Sequence, residues 1–389
     1  MSAAMSNLSL GMTGEGPGKF PESPLSRAWR QPLMLGVFLP LSSGGWSVST
    51  LPRSTSWSFE YNAELLRCAE SLGFDLAFGA SEWLSKGGFG GKSCFHAIAL
   101  DPFITASALA PLTARIILIS TVHILYGPWH PLTLAKMGAT LDHISGGRWG
   151  INVVTGHRAR EHRRFGLNPI EHDQRYVMAE EFISLTKALW QCDNDVTREG
   201  RHWNMKDAYV GVRPTFDRPI IVTATGSDAG IDFASRHSDI VFTSSLAGAE
   251  IETALEQMPA HTNAIKRKAL SCGRRVSTLI NPMVVCRSTD AEAREYRDAI
   301  VNAADVDAYP GFAKEESDAQ GYRGHSTNQR ALGGNIQLVG SPTTIVDYLR
   351  RLNAAGIDGV QLSFFDFLPD LRDFGEHVLP LLHQAGLRL

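Results

Sequence analysis

The stretch Thr140-Leu141-Asp142-His143-Ile144-Ser145-Gly146-Gly147-Arg148-Trp149-Gly150-Ile151-Asn152-Val153-Val154-Thr155-Gly156 decides how the rest of the chain reads. Its first residues close a helical pattern that begins at Pro131. Gly146 and Gly147 then supply the positive φ that ends a helix without a Cβ penalty. Residues 149–154 form a short apolar run between glycines, the pattern of a buried strand. Asn152 and Thr155 fall at the carboxyl end of that strand, where parallel barrels carry their chemistry. An amide in a buried strand is costly unless it finds a partner, so Asn152 is hard to read as filler.

Outward from this stretch, strand and helix alternate about eight times. The spacing predicts strands over 34–40, 74–78, 115–123, 219–224, 240–243, 276–286 and 359–364. It predicts helices over 59–72, 101–112, 131–144, 174–190, 228–236, 247–269 and 343–355. Short Gly, Pro and Asp turns join them, which is the sequence image of an α/β chain closed as a (β/α)8 TIM barrel. An open doubly wound sheet is the alternative, weakened because no GxGxxG follows the first strand. Two segments interrupt the alternation: 191–218, with Trp203 and Tyr209, reads as a small hairpin, and 301–337 as an irregular excursion. Residues 1–31, rich in Ser, Gly, Pro and Met, read as a flexible tail, leaving 32–389 as one barrel domain with insertions.

Composition narrows the function. Hydrophobic content of 43% and charged content of 20% describe an ordinary globular protein with a large core. A net charge of −3 gives no electrostatic reason to expect nucleic acid or an anionic membrane. Cys68, Cys94, Cys192, Cys272 and Cys286 are odd in number and form no CxxC pair. That argues against a disulfide framework or a zinc ribbon and suits a reducing cytoplasm. The start lacks the basic and apolar regions of a signal peptide, and no later segment has the ~18 apolar residues of a membrane helix. His123, His130, His143, His157 and His162 fall in no HxH or HExxH order, so no metal is expected, and no GxSxG elbow or P-loop occurs.

Three groups of residues carry chemistry. In Ile221-Val222-Thr223-Ala224-Thr225-Gly226-Ser227-Asp228-Ala229-Gly230 a strand runs through small residues into a helix start. Free N–H groups and the positive helix end there attract phosphate, although an ordinary capped helix reads the same way. His172-Asp173-Gln174-Arg175-Tyr176 opens the longest helix; Asp173 can cap it, while Arg175 and Tyr176 could bring a cation and a hydroxyl to that phosphate. Solvated charges on a capped helix are the plainer reading. Thr121 and Asn152, neutral hydrogen-bonding residues on neighbouring strand ends, suit an uncharged oxygen species or an amide-like ring edge. Trp46, Phe78, Trp83, Phe95, His96, Tyr126 and Trp129 favour a planar or apolar molecule held by stacking.

Six motifs occur in register over residues 33–385: Ser43-Gly44-Gly45-Trp46, Gly88-Phe89-Gly90-Gly91-Lys92, the opening stretch, His172 to Tyr176, Thr225 to Gly230, and Gly340-Ser341-Pro342. Together they resemble the bacterial luciferase-like flavin monooxygenase superfamily. The resemblance is to its two-component branch, which holds pyrimidine monooxygenase, dimethyl sulfone monooxygenase and riboflavin lyase. It implies a barrel that takes reduced FMN as a diffusible co-substrate from a separate NAD(P)H:flavin reductase. With O2 the flavin would form a peroxide at C4a or N5 and oxygenate a small planar or heterocyclic substrate, with ring opening or bond cleavage. Thr121 and Asn152 match the pair facing N5 and the oxygen, an arrangement that would favour the N5-peroxide. Cofactor contacts carry over to Phe78, Thr155, Arg175, Tyr176, Thr225, Gly226 and Ser227. The substrate pocket would use Trp46, Phe95, His96, Tyr126, Trp129 and His157, in a homo-oligomer (dimer or tetramer).

Departures from that pattern touch the substrate. Tyr126-Gly127-Pro128-Trp129 resembles the sulfone enzymes, the glycine-rich loop resembles the pyrimidine enzymes, and His157 stands where tryptophan is common. Sulfone oxygenation and riboflavin cleavage are therefore alternatives within the branch. Deazaflavin-dependent dehydrogenation is the alternative from another reaction class.

Overall fold

In chain order the described strands are β1 (Met34–Phe38), β2 (Leu76–Gly79), β3 (Ile117–His123), β4 (Trp149–Val154), β5 (Val196–Glu199), β6 (Asn204–Ala208), β7 (Ile220–Ala224), β8 (Ile240–Phe242), β9 (Ser277–Ile280), β10 (Pro282–Cys286), β11 (Ile336–Gly340) and β12 (Gly359–Phe364). They come from a computed structural model that describes residues 16–245, 247–308 and 324–389. β1, β2, β3, β4, β7, β8, β9 and β12 pair in parallel in that order, and β12 pairs back onto β1, closing the ring. The ring is the expected α/β barrel. Its strands are apolar runs buried along their length, as parallel strands covered by helices must be.

The turn into β4 shows how local chemistry builds the barrel. The helix Pro131–Ser145 stops where Gly146 and Gly147 turn left-handed, at φ 64° and 79°. Their N–H groups donate to the carbonyls of His143 and Asp142. Trp149 is then fully buried, edge-on to Phe103 at 5.3 Å, and its indole N–H donates to the Ser120 hydroxyl at 3.2 Å. Gly138 makes room for that ring, since a Cβ there would lie 2.8 Å from it.

Several boundaries differ from the sequence expectation, each for a visible reason. The single strand expected over 276–286 breaks at Asn281 into β9 and β10. Pro282 has no N–H to continue the ladder. The Asn281 side chain donates instead to the Gln361 carbonyl at 2.6 Å and the Ser363 hydroxyl at 2.8 Å. β9 stays in the ring, while β10 pairs with the end of β12 and carries β11 beside it. β11 begins at the last two residues of the segment expected to be irregular, and the helix Asp290–Asn302, opened by a Thr289/Glu292 capping box, runs into that segment's start. Residues 309–323 of that segment lie outside the described residues. The hairpin expected within 191–218 is the antiparallel pair β5–β6. Glu171, and not Asp173, caps the long helix His172–Gln191, its carboxylate accepting from the Gln174 N–H.

Residues 16–31, expected to belong to a flexible tail, pack against the barrel; residues 1–15 lie outside the described residues. The Gly16 N–H donates to Asp217 at 2.6 Å, Phe20 meets Phe216 at 5.6 Å, and Leu25 in the short helix Pro24–Ala28 is completely buried. Among the described residues, no helix is long and apolar enough to cross a membrane.

Replacing Trp149 with Ala removes a fully buried ring and its hydrogen bond. The variant is expected to lose about 3–5 kcal/mol of stability, read as a lower urea midpoint.

Candidate active site

The carboxyl ends of the ring strands surround a cavity of about 490 Å³. Trp46, Phe78, Phe95, His96, Thr121, Asn152, Thr155, His157, Arg175, Tyr176, Thr225, Gly226 and Ser227 all line it. Tyr126, Trp129 and Trp83, expected beside them, do not. Tyr126 is buried behind the wall and Trp129 packs on Phe103 at 5.5 Å. Trp83 lies edge-on to Phe165 and lines a second cavity of about 240 Å³.

The floor is aromatic. Phe38, Phe78 and Phe242, from the ends of β1, β2 and β8, have ring centroids 5.0 to 5.8 Å apart, and Trp46 leans on Phe38 at 4.2 Å. Such a surface stacks with a flat ring and sheds water from it.

Thr121 and Asn152 sit side by side because β3 and β4 pair in register at those residues. The Asn152 amide donates to the Thr121 hydroxyl oxygen at 3.1 Å, which leaves the Thr121 proton available to donate. Asn152 Oδ1 is buried and has no hydrogen-bond partner among the described residues. An unmet buried acceptor costs about 1–3 kcal/mol, so this edge is built for a ligand bearing a donor.

At another end of the cavity two helices begin. Ser227 caps Asp228–His237, its hydroxyl oxygen accepting from the Gly230 N–H at 3.2 Å. Thr225 Oγ1 accepts from the Ser227 N–H at 3.3 Å and lies 3.4 Å from the Tyr176 hydroxyl. Only glycine fits at position 230, because a Cβ would lie 1.9 Å from Thr225 Oγ1 and 2.6 Å from the Tyr176 oxygen. Arg175, in the first turn of His172–Gln191, adds a cation held by the Ile170 carbonyl at 3.0 Å. Hydroxyls, a guanidinium and two helix starts make an anion cradle of the kind that takes a phosphate.

A charged wall was not anticipated from the sequence. Glu82 and Arg158 line the cavity, with Glu161 behind them. His96 Nδ1 lies 2.6 Å from Glu82 Oε2, and its Nε2 lies 2.7 Å from the Gly45 carbonyl. Arg158 contacts Glu161 at 3.2 Å, and Glu161 accepts from the Tyr126 hydroxyl and lies 3.7 Å from His123. Burial pushes the Glu82 carboxyl up, but His96 and Arg158 outweigh it and bring it down to about 2. Burial pushes His123 down to about 4 against the pull of Glu161, and burial also holds His157 well below the ordinary histidine range. Glu82 follows the end of β2, and Arg158 follows the end of β4. The strand-end rule that selected Thr121 and Asn152 reaches both of them.

A family model described as luciferase-like monooxygenase matches residues 34–359. The chain belongs to that family. It is 32% identical to the FMNH(2)-dependent dimethylsulfone monooxygenase of Pseudomonas putida, covering 91% of this chain and 96% of the relative. It is 33% identical to pyrimidine monooxygenase RutA of Cronobacter turicensis, covering 90% and 92%. The crystal structure of a riboflavin lyase shares the fold, with a TM-score of 0.79 at 23% identity over 92% of both chains. In this luciferase-like barrel the strand-end cavity and the charged wall lie on one rim.

His123 gives the site a pH signature. Its ordinary pKa is about 6.5 and in the folded protein it is near 4. Between these values the unfolded chain takes up a proton that the native state refuses, so stability falls as pH drops through that window. The share is on the order of 3 kcal/mol. His123→Asn is expected to flatten the fall of the urea midpoint between pH 6.5 and 4; an unchanged slope contradicts the assignment.

Proposed function

We propose that the chain is the oxygenase of a two-component system. It takes reduced FMN from a separate NAD(P)H:flavin reductase, and O2, and oxygenates a small planar or heterocyclic substrate with ring opening or bond cleavage. The observation that carries this reading is the Thr121–Asn152 pair, with its unmet acceptor, set in one cavity with an anion cradle and an aromatic floor.

The residues present fit FMN. Thr225, Gly226, Ser227, Arg175 and Tyr176 would hold its phosphate, and Phe78 and Thr155 would border the ring. When bound, FMN supplies two electrons and the activation of O2. The protein's part is positioning. Asn152 would accept a hydrogen bond through Oδ1, Thr121 would donate one toward the oxygen, and the rings of Phe38, Phe78 and Phe242 would keep water off that edge. Identity of 32–33% to monooxygenases, over alignments that cover 90–91% of the chain, favours oxygenation over deazaflavin-dependent hydride transfer on the same barrel.

Arg175→Ala is expected to weaken FMN about tenfold or more in a fluorescence titration, since one charge-assisted hydrogen bond is worth about 1.5–3 kcal/mol. Thr121→Val and Asn152→Leu leave the anion cradle intact and are expected still to bind FMN. Both should lose about a hundredfold in oxygenated product, with H2O2 formed in its place. Full turnover in both variants removes the pair from the mechanism. The purified chain with FMN alone is expected not to oxidise NADH, and vigorous oxidation would contradict the two-component reading.

A further inference from the structure

Two helix starts form the anion cradle, yet the contact between them there is loose, with the Tyr176 hydroxyl 3.4 Å from Thr225 Oγ1. A tighter junction joins the same two helices about three turns further along. His237, the last residue of the helix Asp228–His237, is buried between two side chains of the helix His172–Gln191. Lys187 Nζ lies 3.1 Å from its Nδ1, and Glu180 Oε1 lies 2.7 Å from its Nε2. Lys187 is itself buried, and the Arg236 guanidinium donates to Glu180 Oε2 at 2.9 Å.

Chemistry fixes the state of this ring. An ammonium only donates, so Nδ1 is the bare, accepting nitrogen and Nε2 carries the proton that Glu180 accepts. Glu180 and Lys187 stand about two turns apart on one face of their helix, so a partner held by both cannot slide along that face. A row of rings leads from the junction back to the cradle, for Phe233 meets His237 at 4.9 Å and Tyr176 at 6.0 Å. From the segment ahead of β9, Arg274 donates to the His237 carbonyl at 3.4 Å and contacts Asp239 at 3.3 Å.

We infer that Lys187 and Glu180, acting through His237, are positioning residues that hold Arg175 and Tyr176 in register with Ser227 and Gly230, on the reading that this cradle takes the FMN phosphate. Burial, joined by the Lys187 and Arg236 charges, keeps His237 below the ordinary histidine range against the pull of Glu180. The junction therefore stays closed through that range. Further acidification opens it, because a proton on Nδ1 removes the acceptor and faces an ammonium.

The test uses the whole chain, with and without FMN. In 15N NMR at neutral pH, His237 is expected to show Nε2 protonated and Nδ1 bare. Lys187→Met, which keeps the length and removes the donor, is expected to speed amide exchange at Gly230 and Ile231 in the FMN-free protein, where both N–H groups are bonded to Ser227. Exchange in the helix Phe59–Ser71, across the ring, should stay at the wild-type rate. FMN should bind about fivefold more weakly, less than the tenfold or more of a whole charge-assisted hydrogen bond, and Lys187→Arg should restore both readouts. The ratio of wild-type to His237→Phe affinity for FMN cancels the titration of the FMN phosphate itself. That ratio is expected to fall as the solution is acidified; where His237→Phe does not fold, Lys187→Met takes its place. A protonated Nδ1 at neutral pH overturns the inference, as does wild-type exchange at Gly230 and Ile231 in Lys187→Met, or equal acceleration in both helices. A flat affinity ratio where Arg175→Ala weakens FMN overturns it too. Faster exchange at the cradle with unchanged FMN affinity leaves the junction standing and overturns the placing of the FMN phosphate.

Discussion

Parallel pairing around a closed ring is the constraint on which the rest of the structure depends. Because β12 returns to β1, every ring strand delivers its carboxyl end to the same rim. Phe38, Phe78, Thr121, Asn152, Thr225 and Phe242 are far apart in sequence, yet all line one cavity for that reason. The register of β3 on β4 then places Thr121 directly beside Asn152. A one-residue slip would turn one of them out of the barrel and remove the hydrogen bond between them.

On that rim the polar groups fall into three sets with distinct jobs. Small residues and hydroxyls around Gly230 form a cradle whose compactness is set by the missing Cβ. The Thr121–Asn152 pair is neutral and half-satisfied, suited to a neutral partner. The Glu82, His96, Arg158 and Glu161 wall is strongly charged, and internal pairing offsets the cost of its burial. The aromatic floor lines the same cavity and lowers its polarity, which strengthens the hydrogen bonds a ligand makes there.

Much of this was legible in the sequence because it rests on local rules. Gly146 and Gly147 end a helix and residues 149–154 form a strand, as their pattern required, and 359–364 is a strand with the expected bounds. Thr121, Asn152, Arg175, Tyr176 and Thr225 to Ser227 were reached by strand-end and helix-start reasoning, and the structure brings them to one cavity. What escaped depends on contacts distant in sequence. Asn281 breaks a strand because its amide finds Gln361 and Ser363, some eighty residues away. Tyr126 turns from the cavity because Glu161 captures its hydroxyl. Residues 16–31 look structureless in composition, yet Leu25 and Phe20 find apolar partners on the barrel. Glu82 carried no motif beyond its place after the end of β2, and its pairing with His96 is what marks it.

The central claim is that this barrel places an atom of O2 on an organic substrate using electrons from reduced FMN. The most direct measurement is isotopic. The chain, a flavin reductase, FMN and NADH are supplied with a substrate found by mass-shift screening, under 18O2. The expected result is a product carrying one atom of 18O, with none formed under argon. A product that forms equally well without oxygen, or that carries no 18O, would contradict it.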